Sequence, residues 1–187
     1  MDLQTFFITT RSELVESRHL VPGMELKGLG SQASPVLGLE PYRIGSGNRL
    51  FLLNSKIFLL DRQMIFTDQG WAVRSLADYD LRRRLTCPYL QSIGCVLESA
   101  IDMEHLRGLQ FGQLLAKADS GAEFVESIEE VTEQHAGEDY WVPVLGGNHS
   151  CEIKGGFFVE GHMGFHWSLN FNGIQASAAD TELVSSP

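Results

Sequence analysis

The chain has 187 residues, 43% hydrophobic and 20% charged. That suits one domain with a core of its own and no need of disulfide staples. A formal net charge of −10 argues against nucleic acid and anionic membranes as partners and favours a basic protein partner.

The cysteines are three, Cys87, Cys95 and Cys151, with no CxxC pair. This pattern does not make a disulfide framework or a zinc ribbon and fits a reducing, cytoplasmic setting. The start, Met1-Asp2-Leu3, places an acid where a secretory leader carries bases. The most apolar stretch, residues 50–60, is broken by Asn54, Ser55 and Lys56. It falls short of the roughly 20 apolar residues that a membrane helix needs.

In chain order, residues 5–19 read as a first helix. Residues 22–48, rich in Gly and Pro, read as irregular with one short strand near 35–40. Residues 49–74 carry four short apolar runs, at 49–53, 56–60, 63–67 and 71–74. Asn54-Ser55, Asp61-Arg62 and Asp68-Gln69-Gly70 separate them as turns, which predicts a β-meander.

Residues 76–136 read as helical. Ser75 with Asp78 and Ser120 with Glu123 have capping-box spacing. Phe124, Ile128, Val131 and His135 then supply an apolar stripe before Gly137. The outer face of that last helix would gather Glu123, Glu126, Glu129, Glu130 and Glu133, with Glu138 and Asp139 just beyond. From 139 to 171, glycine-separated runs predict a second meander, and 177–187 reads as a flexible C-terminal tail. The expected fold is α+β. Antiparallel β-meanders at about 49–74 and 139–171 flank a central helical segment at about 76–136, in a single domain over 1–176.

Chemistry is sparse. Met163, Phe165, Trp167, Leu169 and Phe171 alternate with His162, Gly164, His166, Ser168 and Asn170, so a strand there has one apolar face and one polar face. On the polar side His166 and His162 are candidate acid–base residues, with Glu160 orienting one of them and Ser168 and Asn170 binding a ligand. His149 and Cys151 are candidate metal ligands, two apart on one strand face. His162 and His166, roughly 13 Å apart along a strand, cannot share one ion unless the chain bulges. Cys151 or Cys95 beside a histidine could form a thiolate pair, but no nucleophile motif surrounds either. Gly28-Leu29-Gly30-Ser31-Gln32-Ala33 has the letters of a dinucleotide fingerprint, yet Pro35 blocks the helix that should follow. No cofactor or metal is called for.

The leading expectation is therefore a small acidic binding protein of inhibitor or immunity type. It would mask a basic protein partner with Glu123, Glu126, Glu129, Glu130, Glu133, Glu138 and Asp139. The alternative is an enzyme or small-ligand binder using the face of Glu160, His162, His166, Ser168 and Asn170. A third is a structural or assembly subunit presenting the apolar run at 49–60. The oligomeric state is left open.

Overall fold

The computed structural model describes residues 3–77, 95–98, 106–147, 149–161, 166–171 and 174–176. The described residues are organised almost wholly as β-structure. In chain order the strands are β1 (Phe6–Ile8), β2 (Leu14–Glu16), β3 (Glu25–Lys27), β4 (Ala33–Arg43), β5 (Leu50–Leu53) and β6 (Ile57–Leu60). Next come β7 (Met64–Thr67), β8 (Gly70–Val73), β9 (Cys95–Glu98), β10 (Arg107–Gly108), β11 (Leu114–Ala116) and β12 (Ala122–Phe124). The last are β13 (Ile128–Glu130), β14 (Asp139–Leu145), β15 (Ser150–Ile153), β16 (Phe157–Glu160), β17 (His166–Phe171) and β18 (Ile174–Ala176). Single 3-10 turns lie at Ser17–His19, Leu29–Ser31 and Glu133–His135.

The strands form four sheets. The largest runs β10-β8-β7-β16-β15-β1-β2, with β11 also on β7 and β12 on β11. Three smaller sheets run β13-β5-β6, β14-β4-β3 and β18-β17-β9. Strands far apart in sequence become neighbours: Phe7 of β1 lies opposite Ile153 of β15, and Val159 of β16 opposite Ile65 of β7. The beginning of the chain is thus built onto strands from its last third, with β2 at the edge of the sheet.

The apolar runs explain this arrangement. All four residues of β5, and all four of β6, are buried, as expected for strands covered on both faces. Between them Lys56 N–H donates to Leu53 O at 3.0 Å. This closes a turn whose central residues, Asn54 and Ser55, both take left-handed φ, 48° and 55°. Asn54 also reaches across: its Oδ1 accepts from Glu126 N–H (2.8 Å) and Ser127 N–H (3.1 Å), and its Nδ2 donates to Phe124 O (2.7 Å). One core cluster packs Phe7, Leu26, Leu53, Ile65, Leu115 and Val159 together; a second packs Ile44, Leu50, Phe58, Leu60, Tyr140 and Val142.

Several expectations are corrected. The α+β class gives way to a nearly all-β fold. Residues 5–19 form β1, β2 and a 3-10 turn, because Phe7 alternates inward with exposed or half-exposed neighbours. The segment expected to be irregular contains β4, eleven residues long, paired with β14 along its outer half. The central helical segment is overturned: among its described residues only Leu76 and Ala77 are helical and Glu133–His135 make a 3-10 turn, while 95–98 and 106–130 hold β9 to β13. The rest of that expected segment, 78–94 and 99–105, lies outside the described residues, as does the expected tail, 177–187. Strands do occupy the four apolar runs of 49–74, but not as one meander. β5 and β6 belong to one sheet, β7 and β8 to another. Strands β14, β15, β16 and β17 are likewise divided among three sheets. Among the described residues no helix is long and apolar enough to cross a membrane.

Candidate functional site

Where β1, β14, β15 and β16 meet the loop after β6, five polar side chains gather inside the protein: Thr5, Gln63, Tyr140, Cys151 and Glu160. The loop brings them in because Asp61, Arg62 and Gln63, polar residues between two apolar strands, are all buried. Their main chain is held by Asp61 N–H to Arg49 O (3.0 Å) and Ser75 N–H to Asp61 O (2.9 Å).

A chain of hydrogen bonds crosses the centre. Thr5 Oγ1 donates to Tyr140 Oη at 3.4 Å. Tyr140 has one hydroxyl hydrogen to share between Phe58 O at 2.9 Å and Gln63 Oε1 at 3.2 Å. Gln63 Nε2 then donates to Glu160 O at 3.2 Å. Beside this chain the Cys151 thiol faces Val159 O at 3.7 Å. The Oε2 atom of Glu160 is buried with no hydrogen-bond partner.

Burial decides the electrostatics. It pushes the Tyr140 phenol up to about 12. It pushes the Cys151 thiol up as well, with the nearby Glu160 adding to the rise. It holds the Glu160 carboxyl well above the ordinary carboxylate range. At neutral pH the thiol and phenol are therefore uncharged, and the carboxyl is pushed toward its neutral form. Attack on a peptide carbonyl needs a thiolate, or a hydroxyl paired with a base. Here Thr5 Oγ1 faces a phenol, and Cys151 faces a carbonyl.

An ion-paired group borders the centre. Asp61 lies 3.5 Å from both Arg49 Nε and Arg62 Nε, and Arg62 Nη2 donates to Asn48 Oδ1. On the other flank, His149 Nδ1–H donates to Leu145 O at 2.8 Å. Its half-buried position lowers its pKa, which the bond to Leu145 partly offsets. Gly161 N–H donates to His149 O at 2.9 Å, so His149 sits beside the end of β16.

The residues singled out from the sequence are dispersed. Glu160 belongs to the centre. His166, Ser168 and Asn170 lie on β17, which pairs with β9 and β18 in another sheet, and His162 lies outside the described residues. His149 takes a turn conformation with φ 59° rather than the strand position that would set it beside Cys151 on one face. Among the described residues no group of three or more His, Cys, Asp or Glu could hold a metal ion.

The acidic residues do not share a helical face. Glu123 is on β12, bound by Lys56 Nζ (2.6 Å) and Asn54 Nδ2 (3.0 Å), and its carboxyl is held low chiefly by Lys56. Glu129 and Glu130 are on β13, and Glu130 accepts from Thr132 Oγ1 at 3.0 Å. Glu138 pairs with His135 (3.0 Å) and Asp139 with Arg43 (3.1 Å). Glu126 and Glu133 are exposed, one before β13 and the other starting the 3-10 turn after it. Thr5, Gln63 and Tyr140 were not visible as site residues from the sequence. The one local hint was the polar triplet 61–63 inside an apolar run.

No protein-family model and no curated protein matches the chain. Solved structures do. A gp41-1 intein carrying three substitutions is 13% identical, covers 86% of this chain and 97% of its own, and superposes with a TM-score of 0.51. A DnaB intein from Synechocystis is 10% identical over 87% of this chain and 97% of its own, with a TM-score of 0.51. A bacterial intein-like domain from Clostridium thermocellum is 10% identical over 86% of this chain and 96% of its own, with a TM-score of 0.52. The fold is intein-like. That overturns the expectation of a small acidic inhibitor, which rested on an acidic helix that the fold does not contain.

Proposed function

We propose that this chain is an intein-like domain that contacts polypeptide but does not splice it at the described centre. Inteins are protein-splicing domains, and their likeness to this chain brings polypeptide into view as its natural partner. The observation that carries the reading is the state of the centre. Thr5, Tyr140, Gln63, Cys151 and Glu160 form a buried cluster in which burial suppresses ionisation of every acidic group. Such a cluster closes a fold; it does not supply a nucleophile and a base for acyl transfer. The free, buried Cys151 fits a reducing, cytoplasmic setting.

The test places the full chain between two unrelated reporter proteins and follows the purified precursor by intact mass at neutral pH, with and without a thiol reductant. The expected result is one unchanged precursor mass over several days. A ligated reporter pair, or release of either reporter, overturns the reading.

A further inference from the structure

The chain has four lysines, at positions 27, 56, 117 and 154, and the fold gathers them at one end of the molecule. Three follow strands: Lys56 in the turn joining β5 and β6, Lys117 after β11, and Lys154 after β15. Between Lys56 and Lys154 opens a cleft of about 350 Å³, walled by Gln4, Thr5, Phe6, Ile57, Phe58 and Ile153 together with the two lysines and Gly155. Lys117 lies next to the Gly155 end of the cleft: its Cε is 3.6 Å from where a side chain on the neighbouring Gly156 would begin. Lys27 joins from β3 through Glu152, with Lys27 Nζ 2.8 Å from Glu152 Oε2.

The lysines differ in how they are held. Lys56 is paired with Glu123 and Lys27 with Glu152. Asp119, exposed in the turn after Lys117, spends Oδ1 on Gly121 N–H at 3.0 Å. Lys154 and Lys117 lean instead on rings, each Nζ 5.4 Å from the ring centre of Phe6 and Phe157 respectively. Lys154 and Lys117 thus make no ion pair among the described residues, in a chain whose net charge is −10. The cleft floor is apolar, and two residues that line it, Thr5 and Phe58, also bond Tyr140 Oη. An occupant of the cleft would therefore lie directly over the closed centre.

We infer that this cleft binds an extended acidic peptide segment, its apolar side chains on Phe6, Ile57, Phe58 and Ile153 and its carboxylates on Lys56, Lys154 and Lys117. The inference rests on the reading of the chain as a polypeptide-contacting domain and adds the place and the chemistry of the contact. A peptide is favoured over a small anion because the lysines stand around an apolar trough rather than converging on one point. Opposite charge on the two partners also gives a fast, salt-sensitive encounter.

The test is fluorescence anisotropy of a labelled peptide of alternating Glu and Leu titrated with the full chain. A Lys–Leu peptide and inorganic phosphate serve as comparison ligands. Binding of the Glu–Leu peptide is expected to weaken about tenfold or more in K154E/K117E. It should weaken again as salt rises from about 50 to about 300 mM. R11E, an exposed charge reversal elsewhere, should shift affinity less than about twofold. Circular dichroism shows whether each variant is folded, and K154A/K117A gives the same comparison with a milder change. Equal binding of the two peptides, no effect of the lysine changes in folded protein, or complete displacement by phosphate overturns the inference. The fusion-precursor experiment is separate: peptide binding can fail while the precursor stays intact, and then only this inference falls.

Discussion

At the centre, Tyr140 is the residue on which most others depend. Its hydroxyl is shared among Thr5 Oγ1, Phe58 O and Gln63 Oε1. Replacing it with Phe keeps the ring and strips three buried groups of a partner. Leaving buried polar atoms unpaired costs about 1–3 kcal/mol. Chemical denaturation of Tyr140→Phe should show a loss of that size, with the fold retained. Glu160 makes a prediction in pH. Its folded-state pKa is raised above the ordinary 4.5 by burial, so the unfolded chain ionises first as pH rises. Stability is therefore full below about pH 4.5 and is lost as pH climbs toward the folded-state value, by up to about 1.4 kcal/mol per pH unit. Thermal melts across that range should show this decline in the wild type and a flatter profile in Glu160→Gln. Gly161 makes a steric prediction. A Cβ there would meet Leu145 at 2.5 Å and Pro143 O at 2.7 Å, so Gly161→Ala should cost about 1–3 kcal/mol in the same denaturation assay.

Among the elements, the β5–β6 hairpin and its clamp decide how the first half meets the second. Asn54 offers a left-handed backbone and a side chain that ties Phe124, Glu126 and Ser127 to the turn. Ser55 offers only the left-handed backbone. Asn54→Gly should therefore destabilise by about 2 kcal/mol or more through lost hydrogen bonds. Ser55→Gly should instead be neutral or stabilise by up to about 1 kcal/mol by relieving strain. Urea melts of the two variants give the comparison directly. The same region shows where sequence reading fails. The apolar runs at β5, β6, β7 and β8 could be found because turn residues bracket them. Phe124, Ile128 and Val131 have helical spacing, but the segment folds as β12 and β13 because Asn54, some 70 positions earlier, captures its main chain. Local spacing does not contain that bond. The centre was hidden for the same reason: Thr5 and Tyr140 are 135 positions apart and Gln63 and Tyr140 are 77 apart. Glu160 could be picked out, as a carboxylate close in sequence to His162 and His166; its burial without a partner could not.

For the whole molecule, the topology brings the first strand beside the fifteenth and encloses a polar cluster whose acidic groups are driven toward their neutral forms. The fold resembles those of solved inteins and of an intein-like domain. The central claim is that no acyl group moves onto Thr5 or Cys151. The most direct measurement is intact mass of the full chain carrying N172Q, flanked by reporters, after treatment with hydroxylamine at mildly alkaline pH. Hydroxylamine cleaves esters and thioesters, and N172Q removes Asn172–Gly173, the one kind of peptide bond that it attacks. The account predicts a single unchanged mass. Fragments with new ends between Gln4 and Thr5, or between Ser150 and Cys151, would show that the centre carries an acyl intermediate and would contradict it.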